Sequence, residues 1–313
     1  MLRIGIDVGG TKVAYGLFDE DGQLFDRRQH ATPMLADGPE LSGLLLRNIR
    51  AMMEENGIGR ADLQGVGIGM PSFIIYDRGY IYMTSAMVNV RDFPMRDWFR
   101  ERTDIPVAID KDSNLSAVAE HRFGAGRGHE NMVYTTLGTG IGSGLILNGR
   151  LFHGSYGWAG ETGHMLITPD EGDECGCRNR GCFMSYAAGR YIPDQLRRLG
   201  TGRRTMLDLD GALDGVALKR ALDAGDPVAR DFVAQAAHYI GVCCFNVYLM
   251  LNVNLFVFGG GLVNLGAPLL DGIRAEFDRY NHVDMPVEFR IAELKQDFGI
   301  IGAAELVRQV FPG

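Results

Sequence analysis

Asp7-Val-Gly-Gly-Thr-Lys12 and Gly138-Thr-Gly-Ile-Gly-Ser-Gly144 each set glycines between two apolar runs of strand character. Turns of this kind let backbone N–H groups approach a phosphate closely. In the first, Gly9 and Gly10 supply the turn, Thr11 a hydroxyl donor and Lys12 a charge, while Asp7 can hold the water shell of a magnesium ion. Gly138, Thr139 and Gly140 open the second. Neither is a Walker A loop or a dinucleotide fingerprint, because the residue order differs and no helix follows. A plain hairpin turn also explains either motif alone; one such turn in each half points to a pair of jaws for a polyphosphate. Gly259, Gly260 and Gly261 close the run Leu255 to Phe258, where α/β sheets hold nucleotides, although an ordinary strand-to-helix turn fits as well.

Two further constellations carry chemistry. Asp110, Asp112 and Asn114 fall where a strand passes into a helix. Asp112, Ser113 or Asn114 could cap that helix, but capping does not require all three polar residues. Gly160-Glu161-Thr-Gly-His164 leads to Cys175, Cys177 and Cys182. A histidine by itself reads as a hydrogen-bonded core residue. With three thiols close downstream it completes a closed tetrahedral zinc site with no position left for water.

The elements that must position these groups are legible as patterns. Strands are expected at Ile4–Val8, at Val13–Phe18 and from Leu24 to before Pro33, then a helix from Pro39 to Glu55 on the spacing of Leu41, Leu45, Ile49 and Met52. Val66–Met70 reads as a buried strand, followed by a helix near Trp98 and a strand at Val107. After Gly124–Gly128 the pattern restarts with strands at Met132, Gly144 and Leu151. Two α/β halves are therefore expected, 1–124 and 125–313, with a cleft between them.

Composition bounds the partners. The net charge is −8 and no basic stripe is present, which argues against nucleic acid. The apolar run Val242 to Phe258 is broken by Asn246, Asn252 and Asn254, so it reads as a buried helix and then a strand, not a membrane span. With no leader pattern before the first strand, and a cysteine cluster suited to metal, a cytoplasmic location is expected.

Taken together, these motifs resemble the ROK family of bacterial sugar kinases and sugar-responsive repressors. The resemblance covers nearly the whole chain. It implies a two-lobed actin/hexokinase-like α/β fold, often dimeric, and phosphorylation of a hexose by ATP with magnesium. It further implies Asp112 as the base that takes the proton from the sugar hydroxyl, usually O6. Asn89, Lys111, Asp112, Glu161 and His164 would contact the sugar, and the three glycine turns would hold ATP. His164 would also ligate a structural zinc beside Cys175, Cys177 and Cys182.

The departures concern specificity. Lys111 stands where the family commonly has asparagine, as in allose-kinase-like members. Met184 stands where a glutamate usually accepts hydrogen bonds from the sugar, and a thioether is a poor acceptor. Arg178 replaces the glycine after the second cysteine, and Asn252-Val-Asn254 replaces Asp-Pro-Asp. An allose-type hexose, an N-acylated hexosamine or a non-catalytic sugar sensor are the alternatives to a glucose kinase. A DNA-binding repressor is disfavoured, because the first glycine turn starts at residue 7.

Overall fold

The computed structural model describes residues 1–283 and 285–311. In chain order the elements are β1 (Leu2–Val8), β2 (Lys12–Phe18), β3 (Leu24–Ala31), α1 (Gly38–Glu55), β4 (Leu63–Met70), β5 (Ser72–Ile75), β6 (Tyr80–Thr84), β7 (Arg91–Phe93), α2 (Met95–Arg100), β8 (Val107–Lys111) and α3 (Asp112–Phe123). There follow β9 (Met132–Leu137), β10 (Ile141–Leu147), β11 (Arg150–Leu151), α4 (Met184–Ala187), α5 (Ile192–Gly200), α6 (Gly215–Asp223), α7 (Pro227–Leu251), β12 (Leu255–Gly259), α8 (Ala267–Tyr280), β13 (Glu288–Ile291) and α9 (Phe298–Val310). The chain forms two compact units. One comprises Met1–Gly128, Gly144–Ala159 and the chain from Glu293 onward; the other comprises His129–Ser143 and Gly160–Ala292.

In the first unit a five-stranded sheet runs β3-β2-β1-β4-β8. β1 pairs antiparallel with β2 and parallel with β4, which in turn is parallel to β8. Side chains alternate between the two faces of a strand. Ile4, Ile6, Val66 and Ile68 therefore share one face, packed with Leu41, Leu45 and Ile49 of α1. Asp37 caps α1, accepting the Glu40 N–H at 2.9 Å while the Glu40 carboxylate accepts the Asp37 N–H at 3.1 Å. Residues 72–93, where the sequence pattern is weak, add a small sheet in the order β5-β6-β7.

The opposite face of that sheet carries glycine. Gly5 pairs with Gly16 on one side and with Gly67 on the other, which makes a row without side chains across three strands. α9 lies in it. A Cβ at Gly5 would come within 1.9 Å of the Ile300 carbonyl oxygen, and one at Gly67 within 1.9 Å of the Ala303 carbonyl oxygen. Asp7, two residues beyond Gly5, is on this same face, so the first turn of α9 meets it. A Cβ on Gly299 would stand 2.5 Å from the Asp7 Cγ.

In the second unit β12 is central, parallel to β9 and to β13. β10 flanks β9 on its other side and turns into β11; the chain passes from the second unit to the first within β10. α7 starts from Asp226, which accepts the N–H groups of Val228 and Ala229 at 2.9 and 3.1 Å. It stops at Asn252, whose left-handed φ of 52° suits asparagine. That stop accounts for Asn252-Val-Asn254 as a helix terminus followed by β12. By length and composition α7 could cross a membrane, yet 56% of its apolar window is buried within the structure.

The glycine row makes one demand testable. Gly67→Ala should cost about 3 kcal/mol or more in denaturant unfolding, because a backbone oxygen cannot move aside as a side chain can. A loss below about 1 kcal/mol would show that α9 is not seated on the row.

Candidate active site

The residues singled out from the sequence fall into three groups in the first unit and two in the second. The first glycine turn joins β1 to β2. The Gly9 N–H donates to the Lys12 carbonyl at 2.9 Å, and the Thr32 hydroxyl donates to the Gly9 carbonyl at 2.6 Å. That bracing leaves Gly10, Thr11 and Lys12 exposed to a ligand. Behind them lies Asp7. Burial, and after it the Asp112 charge, push its carboxyl up to about 6 against the pull of Lys12. A cation bound beside these two carboxylates would relieve both charges.

Asp112 is the first residue of α3 and is exposed. Its Oδ1 accepts the Ser113 N–H at 2.7 Å, and its carbonyl accepts the Ser116 hydroxyl at 2.9 Å. None of the three residues proposed as a cap does that work. The N-cap position is Lys111, whose side chain does not cap the helix, while Ser113 and Asn114 are buried inside the first turn. Lys111 is itself buried, with its Nζ donating to the Ala159 carbonyl at 2.5 Å. Asn89 is exposed, and its amide donates to the Leu35 carbonyl at 2.9 Å.

In the second unit the two remaining glycine turns come together. They end adjacent parallel strands, with Gly259 paired to Thr136. Gly260 has φ of 88°, and a Cβ there would strike the Leu137 carbonyl and the Gly138 nitrogen at 2.6 and 2.9 Å. Only glycine permits that approach. Gly138 and Thr139 are held from behind, their carbonyls accepting the N–H groups of Gly189 and Arg190 at 2.7 and 3.2 Å.

The Glu161–His164 segment is anchored to β9 and β10 by a hydroxyl chain. Ser143 Oγ lies 2.9 Å from Thr135 Oγ1 and 2.6 Å from Thr162 Oγ1. Gly163 packs so tightly on β10 that its Cβ would stand 2.4 Å from the Ile141 carbonyl oxygen. Met184 is buried against the same glycine, its Cε 2.8 Å from that Cβ position.

His164, Cys175, Cys177 and Cys182 present ligand atoms that all lie within 4.8 Å of one another. His164 Nδ1 is 3.5 Å from Cys175 Sγ, and Cys177 Sγ is 3.5 Å from Cys182 Sγ. A tetrahedral zinc centre has ligand–ligand edges of roughly 3.5–3.8 Å, so the donor set and its spacing fit that ion. Arg178 in the same loop has φ of 72°, the left-handed region a glycine would occupy without strain.

The sequence reading overlooked Thr32, Tyr76, His153 and Gly299. Each reaches its partner across many residues with no local motif, and Gly299 differs from any other helix glycine only through what it touches.

The profile of the ROK family matches residues 3–310, and the chain belongs to that family. A glucokinase of Halalkalibacterium halodurans is 36% identical over 321 residues, spanning 98% of this chain and 94% of that one. Among solved structures, a ROK hexokinase from Thermus thermophilus is 33% identical with a TM-score of 0.83 and covers 97% of both chains. A ROK family glucokinase from Streptomyces griseus, in complex with glucose and AMPPNP, is 32% identical with a TM-score of 0.79, covering 99% of this chain and 100% of that one. The expected two-lobed actin/hexokinase-like α/β fold is the fold observed.

The Asp7 environment has a consequence for stability. Its folded-state value of about 6 lies above the ordinary 3.8, so its stabilising contribution is full below about 4 and is lost as pH rises through about 6. The charged form at pH 8 thus costs about 3 kcal/mol. Asp7→Asn should raise the melting temperature of the unliganded protein at pH 8, and by about half as much at pH 5, in paired thermal melts. An unchanged or lowered melting temperature at pH 8 would contradict this account of Asp7.

Proposed function

We propose that this chain is an ATP-dependent sugar kinase that transfers the γ-phosphoryl group of ATP to a hexose hydroxyl, at O6. One observation carries the reading: an exposed carboxylate at the start of α3, Asp112, and a half-buried one, Asp7, stand in the same unit as an exposed Gly-Thr-Lys turn that follows Asp7. Phosphoryl transfer to a hydroxyl needs such a set, with one carboxylate to take a proton and another to serve a cation.

In this reading Asp112 accepts the proton of the sugar hydroxyl as its oxygen bonds to the γ-phosphorus. The bond from that phosphorus to the bridging oxygen breaks, and ADP leaves. A placed carboxylate base contributes roughly 10²–10⁴ in rate. The rest comes from alignment and charge neutralisation by the metal and backbone donors. Asp7 serves magnesium. Gly9, Gly10, Thr11 and Lys12 in one unit, and Gly138, Thr139, Gly140 and Gly259–Gly261 in the other, serve the nucleotide. Asn89, Lys111, Glu161 and His164 contact the sugar. Zinc on His164, Cys175, Cys177 and Cys182 is structural, since four protein ligands close its coordination. The protein acts as a cytoplasmic homodimer.

The 36% identical relative carries the name glucokinase. A different acceptor, an allose-type hexose or an N-acylated hexosamine, is favoured by Met184. Its thioether is buried against Gly163 and offers no charged acceptor where the family has a glutamate.

ATP consumption with magnesium across glucose, mannose, fructose, allose and the N-acetylated hexosamines tests the activity. Turnover on one sugar is expected, with kcat reduced at least roughly 100-fold in Asp112→Asn and sugar binding retained. A near-wild-type rate in that variant would remove Asp112 as the base; binding of a sugar without turnover on any would make the protein a sensor. Metal analysis should find about one zinc per chain, lost together with stability in Cys177→Ser. A metal-free wild type would refute the zinc assignment.

A further inference from the structure

Asp110 is only 1% exposed, and a buried carboxylate is costly unless donors surround it. Its Oδ1 accepts the Lys111 N–H and the Asn114 amide, each at 2.8 Å. Its Oδ2 accepts from His153 Nε2 at 2.6 Å. Two of the three donors therefore belong to the turn that carries Asp112, and the third comes from the segment after β11. Asn114 depends on this carboxylate. Its buried Oδ1 finds no hydrogen-bond partner among the described residues, and a flipped amide would set oxygen against oxygen. His153 is fixed in turn by Tyr76, whose ring stacks on the imidazole with centroids 3.5 Å apart and planes 16° from parallel. The same short segment engages the turn a second time through the Ala159 carbonyl that Lys111 holds.

We propose that His153 is a positioning residue for phosphoryl transfer: by holding Asp110 it fixes the Lys111–Asn114 turn and so the direction of the Asp112 carboxylate. The inference rests on Asp112 being the base, but the latch is a separate claim about the turn. The role assigned to the histidine is indirect, through Asp110. Its contribution is a constraint on the placement of a group two residues from its partner, where an error of about 1 Å can cost roughly 100-fold in rate. Sequence distance hides the pair, since 43 residues separate them and no motif contains His153.

The test compares wild type with His153→Ala and His153→Gln, reading steady-state kinetics and amide hydrogen exchange over residues 108–116 of the same full-length proteins. Glutamine can present an amide N–H about where Nε2 stands; alanine cannot. In the alanine variant kcat should fall roughly 10- to 100-fold with both KM values within about threefold of wild type, and exchange at the turn should quicken about tenfold. In the glutamine variant both readouts should return to within about fivefold of wild type. Wild-type kcat in the alanine variant, a loss confined to KM, unaltered exchange, or a glutamine variant as impaired as alanine would each overturn the proposal. If wild type phosphorylates no hexose, the kinase reading fails by itself. Exchange then decides the latch: faster exchange in alanine alone sustains it, and equal exchange in all three proteins removes it.

Discussion

The first unit depends on one close approach, the seating of the α9 backbone on a sheet face stripped of side chains at Gly16, Gly5 and Gly67. A helix normally rests on a sheet through side chains; here its carbonyls meet strand Cα atoms. Much follows from that contact. It brings Gly299 against Asp7, and Asp7 is desolvated enough that its proton affinity rises by orders of magnitude. Strand alternation then dictates that the apolar residues between these glycines face α1. The same alternation that builds the core thus places the carboxylate.

The two units solve phosphate-type turns differently. In the first, a hairpin is braced by Thr32 from a neighbouring strand. In the second, two turns at the ends of adjacent parallel strands lean on each other, and Gly260 removes the side chain that would part them. Both have exposed residues at the tip, Gly10 and Thr11 in one and Thr139 and Gly260 in the other, and are held from behind by hydrogen bonds or close packing. That is how a loop stays ordered before its ligand arrives.

Much of this was legible in the sequence. Ile-Gly-Ile-Asp-Val fixes the strand, its faces and the carboxylate; the α1 periodicity survives unchanged; the breaks in the run from Val242 locate the end of α7 and the start of β12. The Cys/His spacing brought its four residues to one point. What escaped were long-range partners. The glycines at 5, 16 and 67 look like ordinary strand glycines until Ile300 and Ala303 are placed over them. The run at 110–114 suggested a cap, whereas Asp110 lies buried before the helix and Lys111 takes the N-cap position. The 72–93 sheet escaped because its short strands are interrupted by turns. Arg178 is different: its departure from glycine was visible, but the cost became apparent only with a positive φ.

α9 lies at the far end of the chain from the strands it covers. About 230 residues separate Gly67 from its first turn, which at ribosomal speeds is roughly 10–50 s of synthesis. Throughout that interval the glycine face, with Ala14 and Phe18 beside it, has no helix to cover it. The glycine face of this sheet is therefore synthesised long before the helix that covers it. Only with α9 in place does Asp7 meet Gly299 and lose that part of its contact with water.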